Sequence, residues 1–180
     1  RLDLQKANLR YIDDELILKN GSWKVFSSGR LATEGEIDFG SGDYFFEGIL
    51  DDVQCDEVVP ENWARRITGE LTSTFTVEGE IGETPLIEGD LRLSGGYLTA
   101  LPVLDRIASY TAIERFRRLS LRRAELKFRQ EGKRLELTDI VVVSDGLLRI
   151  EGRLTIEDGQ LDGDLHLGLT PSTLASIPGA

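Results

Sequence analysis

The stretch Leu147–Leu169, LLRIEGRLTIEDGQLDGDLHLGL, decides the fold class. Leu148, Ile150, Gly152, Leu154 and Ile156 recur at period 2, which places them on one face of a strand. Arg149, Glu151, Arg153 and Thr155 fill the other face. Asp158-Gly159 reads as a hairpin turn. The alternation then resumes, with Leu161, Gly163, Leu165, Leu167 and Leu169 set against Asp162, Asp164 and His166. Each strand carries a glycine in the middle of its apolar face, although glycine weakens strands and adds no side chain to a core.

The same pattern runs through most of the chain. LDLQKANLRY and ELILKN read as strands, and Asn20-Gly21 as a type I′ turn into a third strand, NGSWKVF. Asn20-Gly21-Ser22 also matches a glycosylation acceptor, a short pattern that the turn already explains. Leu31, Thr33, Gly35, Ile37 and Phe39 share a face, Gly40-Ser41-Gly42 supplies a turn, and Tyr44, Phe46, Gly48 and Leu50 follow. Leu71, Ser73, Phe75, Val77, Gly79 and Ile81 form the next set, then Ile87, Gly89, Leu91 and Leu93. Ala124, Leu126 and Phe128 form another. Leu135 and Leu137 are followed by Ile140 and Val142, a phase slip that predicts a bulge at Thr138-Asp139.

One segment breaks the period. Over 101–116, Leu101, Leu104, Ile107, Ala108, Ala112 and Phe116 fall at helical spacing, and Pro102 suits a first turn. Short proline-led helical turns are expected after VVP and in LTPSTLASIPG. The recurrence of hairpin, strand exit and proline-led turn divides a single β-rich domain, 1–180, into repeat units 1–67 and 68–180.

Consecutive strands joined by short turns give an antiparallel meander with one apolar and one charged face. Such a layer must close, pair or be covered. The expected fold is mainly β, a strongly curved, open groove or half-barrel with one amphipathic helix. The mid-strand glycines read as bending points that leave room for an apolar guest, so Val at Gly152 or Gly163 is expected to narrow the groove.

Composition limits function. Net charge is −11 over 180 residues, against a phosphate-neutralising nucleic-acid surface and against charge-driven docking on anionic headgroups. Cys55 is the only cysteine and His166 the only histidine, so no internal disulfide, CxxC motif or multi-histidine metal site is available. Asp158, Asp162 and Asp164 lack the spacing and closing glutamate of an EF-hand loop, and FGSGDY lacks nucleophile-elbow spacing. No catalytic constellation, metal site or cofactor is expected. The basic run RFRRLSLRR, 115–123, reads as paired with local acids or as a docking point for a headgroup or partner. No apolar run approaches 18 residues, so no membrane span is expected. With Arg at position 1 and no Met, the chain reads as an excerpt of a longer polypeptide.

Five short pieces occur in a suggestive order: Pro85-Leu86-Ile87-Glu88-Gly89, Gly96-Tyr97-Leu98, Leu101-Pro102-Val103-Leu104, Asp145-Gly146-Leu147-Leu148 and Gly159-Gln160-Leu161-Asp162-Gly163. Over about 69–170 the chain thereby resembles the C-terminal part of AsmA-like proteins, with TamB-like envelope proteins as relatives. The resemblance implies a periplasmic β-rich segment of an inner-membrane-anchored protein, similar to bridge-like lipid-transfer proteins whose grooves carry phospholipid acyl chains. It implies no catalytic residues. The implied partners are a phospholipid or other acyl lipid, neighbouring repeats of the same chain, and an outer-membrane or envelope protein. The alternation itself nominates the groove lining: Phe46, Phe75, Val77, Leu91, Leu93, Leu126, Phe128, Leu148, Ile150, Leu154, Leu165 and Leu167. The alternative is a closed core serving as an assembly scaffold, without lipid.

Overall fold

A computed structural model describes residues 2–99, 102–111, 113–144 and 146–175. Ten strands form one sheet in strict chain order, β1-β2-β3-β4-β5-β6-β7-β8-β9-β10, and every neighbouring pair is antiparallel. The strands are β1 Leu2–Ile12, β2 Glu15–Val25, β3 Gly29–Asp38, β4 Asp43–Gln54, β5 Ile67–Glu80, β6 Leu86–Thr99, β7 Arg118–Glu131, β8 Arg134–Ser144, β9 Leu148–Glu157 and β10 Gln160–Leu169. The sheet does not close into a barrel: β1 and β10 are its edges. Between β4 and β5 lie two single turns of helix, α1 Cys55–Val58 and α2 Glu61–Ala64. Helix α3, Pro102–Thr111, and a 3-10 turn, Glu114–Arg117, connect β6 to β7, and α4, Pro171–Leu174, follows β10.

Period-2 patterning produces the meander because each short turn returns the chain beside the strand it left. Two-residue loops with positive φ match the right-handed strand twist. Asp13 and Asp14 (φ 50° and 67°) make the first hairpin and Asp158 and Gly159 (φ 49° and 80°) the last. The turn expected at Asn20-Gly21 is not there. β2 runs through both residues, and Asn20 (φ 53°) sits in a bulge where the pairing with β3 slips between Leu18 and Gly21. The bulge at Thr138-Asp139 is found, with Asp139 at φ 49° and the register slipping between Leu137 and Ile140. Asp52 (φ 58°) bulges β4 in the same way. Asn and Asp tolerate this left-handed backbone better than other residues with a Cβ.

The helix expected over 101–116 is shorter. α3 ends at Thr111, Ile113 is extended (φ −103°, ψ 96°), and Phe116 belongs to the 3-10 turn. Leu101 and Ala112 lie outside the described residues. The break lets the chain redirect Phe116 inward, where it is fully buried. The proline-led turns are present as α2, with Pro60 at its N-cap, and α4, with Pro171 in its first turn, whereas α1 precedes the proline and carries no such signal.

The core lies at the end of the sheet where β4, β6, β8 and β10 finish. Leu104 and Ala108 of α3, Phe116, Leu147 and Cys55 meet Leu71, Leu93, Leu119, Leu121 and Leu148 of the strands. Truncating Phe116 to Ala removes a fully buried ring. It should lower unfolding free energy by about 3–5 kcal/mol in urea titrations, with amide exchange rising first over α3 and the 3-10 turn.

Candidate functional site

Strand register sorts the apolar side chains into rows that cross the sheet. One row runs Thr33, Gly48, Phe75, Gly89, Phe128, Leu137, Leu154, Gly163 from β3 to β10. Its neighbour runs Leu31, Leu50, Ser73, Leu91, Leu126 from β3 to β7. A third runs Val53, Leu71, Leu93, Ala124, Val142, Ile150, Leu167. Phe46 pairs with Val77, and Leu165 with Gly152. Directly opposed residues share a face, so all twelve nominated lining residues stand on one side of the sheet, although they come from six strands.

They are not equally accessible. Phe46, Phe75, Val77, Leu91, Leu126, Phe128, Ile150 and Leu154 are half-buried, and Leu165 and Leu167 are 52% and 53% exposed on the edge strand. Leu93 and Leu148 belong to the core under α3, and their contacts are with protein. The face thus has a sealed end and an open remainder. Register also adds lining that the alternation did not nominate, including Leu31, Leu50, Leu137 and Val142.

The mid-strand glycines are not empty. A Cβ at Gly48 would fall 2.3 Å from Phe75 Cζ, and one at Gly35 2.3 Å from Phe46 Cδ1. At Gly89 it would meet the Thr74 carbonyl oxygen at 2.3 Å, Phe75 Cβ at 2.8 Å and Phe128 Cζ at 2.9 Å, and at Gly79 the Tyr44 hydroxyl at 2.8 Å. Aromatic side chains of adjacent strands lie across these glycines and fill the space that the sequence leaves open. At Gly152 and Gly163 no ring is among the nearest atoms. A Cβ there would lie 2.0 Å from the Asp164 carbonyl oxygen and 2.3 Å from that of Arg153, with φ of 155° and 153°. Valine at either position would therefore separate β9 from β10 rather than narrow a groove.

The opposite face is ionic. Arg129 pairs with Glu88, Lys127 with Asp139 at 2.7 Å and Arg134 with Glu136 at 2.8 Å. Hydrogen bonds from Arg123 and Arg149 hold the Glu125 and Glu151 carboxyls below their usual range. Cys55 sits in the core, and burial pushes its thiol up. In the basic run, Arg117 pairs with Glu114 at 2.7 Å and Arg118 stacks over Tyr97 at 4.1 Å, so these two cations are used locally. A concavity of about 570 Å³ collects Glu36, Asp38, Asp43, Glu78 and Glu80, and one of about 730 Å³ collects Glu125, Asp139, Glu151 and His166. Among the described residues no group of three or more His, Cys, Asp or Glu is placed to hold a metal ion. Asp158 is a turn residue, while Asp162 and Asp164 share the polar face of β10.

Two substitutions separate filled from unfilled glycines. Gly48→Ala should cost about 1–3 kcal/mol through overpacking against Phe75, and much less in a Phe75→Leu background, as a double-mutant cycle in urea would read. Gly168→Ala, whose nearest new contact is 3.7 Å away, should change stability little.

No helix among the described residues is long and apolar enough to cross a membrane. Compared with family models, with curated proteins and with solved structures, the chain has no significant match in any of the three.

Proposed function

We propose that this chain is a non-catalytic acyl-chain binding module. Its place would be a periplasmic segment of an inner-membrane-anchored protein that helps phospholipid move between membranes. One observation carries the binding role: the sheet is a single layer with an apolar face and an ionic far side, and among the described residues a cover lies over one end of the apolar face. A hydrocarbon tail satisfies such a face without any polar anchor, because its headgroup can stay in water at the open side. About a dozen buried methylenes at about 0.8 kcal/mol each give roughly 10 kcal/mol gross. Immobilising the tail costs a substantial part of that, so affinity on the micromolar scale is expected. Curvature of the sheet would raise the contact per methylene, and the bulges at Asn20, Asp52 and Asp139 are the positions at which strands bend. The compartment and the transport role rest on the motif order over 69–170.

The filled glycines favour one second reading. If the aromatic rings and neighbouring repeats complete the packing, the chain is a scaffold for envelope assembly and takes no lipid.

The two readings part in one experiment. Folded protein prepared without detergent is extracted for lipid mass spectrometry and titrated with a fluorescent fatty-acid probe. Acyl binding predicts co-purifying lipid and saturable probe binding. It also predicts at least tenfold weaker binding in Leu126→Gln and Leu154→Gln, with Ile49→Gln on the ionic face unchanged. Absence of both lipid and probe binding, or equal binding by all variants with circular dichroism unchanged, defeats the acyl reading and leaves the scaffold.

A further inference from the structure

The two edge strands are matched to each other. β1 and β10 have 11 and 10 residues, and neither contains proline. Long edge strands without proline leave a row of backbone N–H and C=O groups open to another strand. Here Leu2, Leu4, Leu9 and Tyr11 of β1 are 57%, 54%, 65% and 60% exposed, and Leu161, Leu165 and Leu167 of β10 are 66%, 52% and 53% exposed. Helix α4 does not shield β10. Thr170 and Thr173 donate to the Leu147 carbonyl, which turns α4 back toward the start of β9.

The strand count fixes how the edges can meet. With ten strands all antiparallel, β1 and β10 run in opposite directions within one molecule. A second copy displaced along the sheet therefore presents its β1 antiparallel to β10 with the apolar faces on the same side. We propose that β10 of one copy pairs with β1 of a second copy in this head-to-tail manner, extending the sheet across the junction.

Three features support that occupant over others. First, the lengths agree once the β1 bulge is counted. Leu4 and Leu9 share the apolar face five positions apart, because the register slips between Leu4 and Lys6. Aligning the hairpin ends puts Tyr11 against Leu161 and Leu9 against Gly163. Below the extra residue, Leu4 meets Leu167 and Leu2 meets Leu169. Second, Leu9 over Gly163 repeats the pairing of a bulky residue with a glycine already present at Leu18–Gly35 and Leu165–Gly152. Third, the polar faces are complementary. β1 presents Lys6, Asn8 and Arg10, and β10 presents Asp162, Asp164 and His166. Arg10 falls opposite Asp162, and Asp164 lies diagonal to both Lys6 and Arg10, within reach of long side chains. Lys6, Arg10 and Asp162 have no ion-pair partner among the described residues, and Asp164 has only the exposed Arg153 at 3.5 Å. Pairing β10 with β10 across a two-fold axis would instead set these carboxylates against each other.

A heterologous contact of this kind does not close, so association should continue past the dimer. Sedimentation velocity from about 1 to 500 µM in 50 mM NaCl should give a mass that rises beyond two copies and falls in 1 M NaCl. Asp162→Lys/Asp164→Lys and Lys6→Asp/Arg10→Asp should each be at least tenfold weaker alone, while an equimolar mixture regains native association, since each restores the other's opposite charge. Amide exchange over 2–12 and 160–169 should slow with concentration in the native chain. A monomer throughout, a plateau at two copies, indifference to the charge swaps, or exchange at both edges independent of concentration would each overturn the pairing. The pairing does not depend on acyl binding: loss of probe binding leaves these outcomes unmoved.

Discussion

A one-layer sheet cannot hide both of its faces, and that constraint governs the rest of this molecule. Ten strands place about half of their side chains on a side where Leu, Ile, Val and Phe predominate, and water must be kept from some of that side for the chain to fold. Among the described residues the cover is one small cluster, formed by α3, the 3-10 turn, Cys55 and the Leu147 loop. Burying one leucine contributes about 1.5–3 kcal/mol, so the sealed end around Phe116, Leu119 and Leu148 supplies much of the fold's stability. The half-buried residues beyond it gain less from folding and are left able to gain from contact with something else.

The aromatic rings moderate that exposure. Phe75 lies across Gly48 on one side and approaches Gly89 on the other, and Phe128 reaches Gly89 from β7. In a flat layer without glycine these rings would stand upright and wet. Lying over a neighbour that lacks a Cβ, each ring buries one of its faces against backbone. This interleaving thickens the middle of the sheet without a second layer and removes the gaps from the alternation. An apolar guest would meet a surface of rings and leucines, not a series of slots.

Strand identity was legible because period-2 alternation is a local property, and it survives in nine successive pairings from β1 to β10. Local conflicts were harder. Asn20-Gly21 is a strong hairpin signal, yet Leu16 and Leu18 before it and Trp23 and Val25 after it all belong to the apolar face. Only a one-residue slip inside a continuous strand meets both demands. The same kind of slip at 137–140 was readable because no turn signal competed with it. The helix was overextended since Phe116 keeps helical spacing from Ala108 while the backbone between them leaves the helix at Ile113. The face of the candidate site followed from alternation. What fills its glycines did not, because Phe75 opposes Gly48 and Gly89 only once the register of β4, β5 and β6 is fixed.

The face and the edges make different demands, and one partner cannot meet both. The face lacks apolar contact, which hydrocarbon supplies without directionality. Among the described residues the outer sides of the edges have no strand beside them, and their backbone N–H and C=O groups call for partners that hydrocarbon cannot supply and another strand can. Neither demand is met by the ionic side, where Lys127, Arg129 and Arg134 are already engaged with Asp139, Glu88 and Glu136. A strand added at β10 lengthens the apolar face by one more row of side chains on the same side. Satisfying the edges therefore enlarges the unsatisfied face instead of covering it. A sheet extended in this way becomes a longer track of the same surface, and a guest that gains from its length is an extended chain, not a compact molecule.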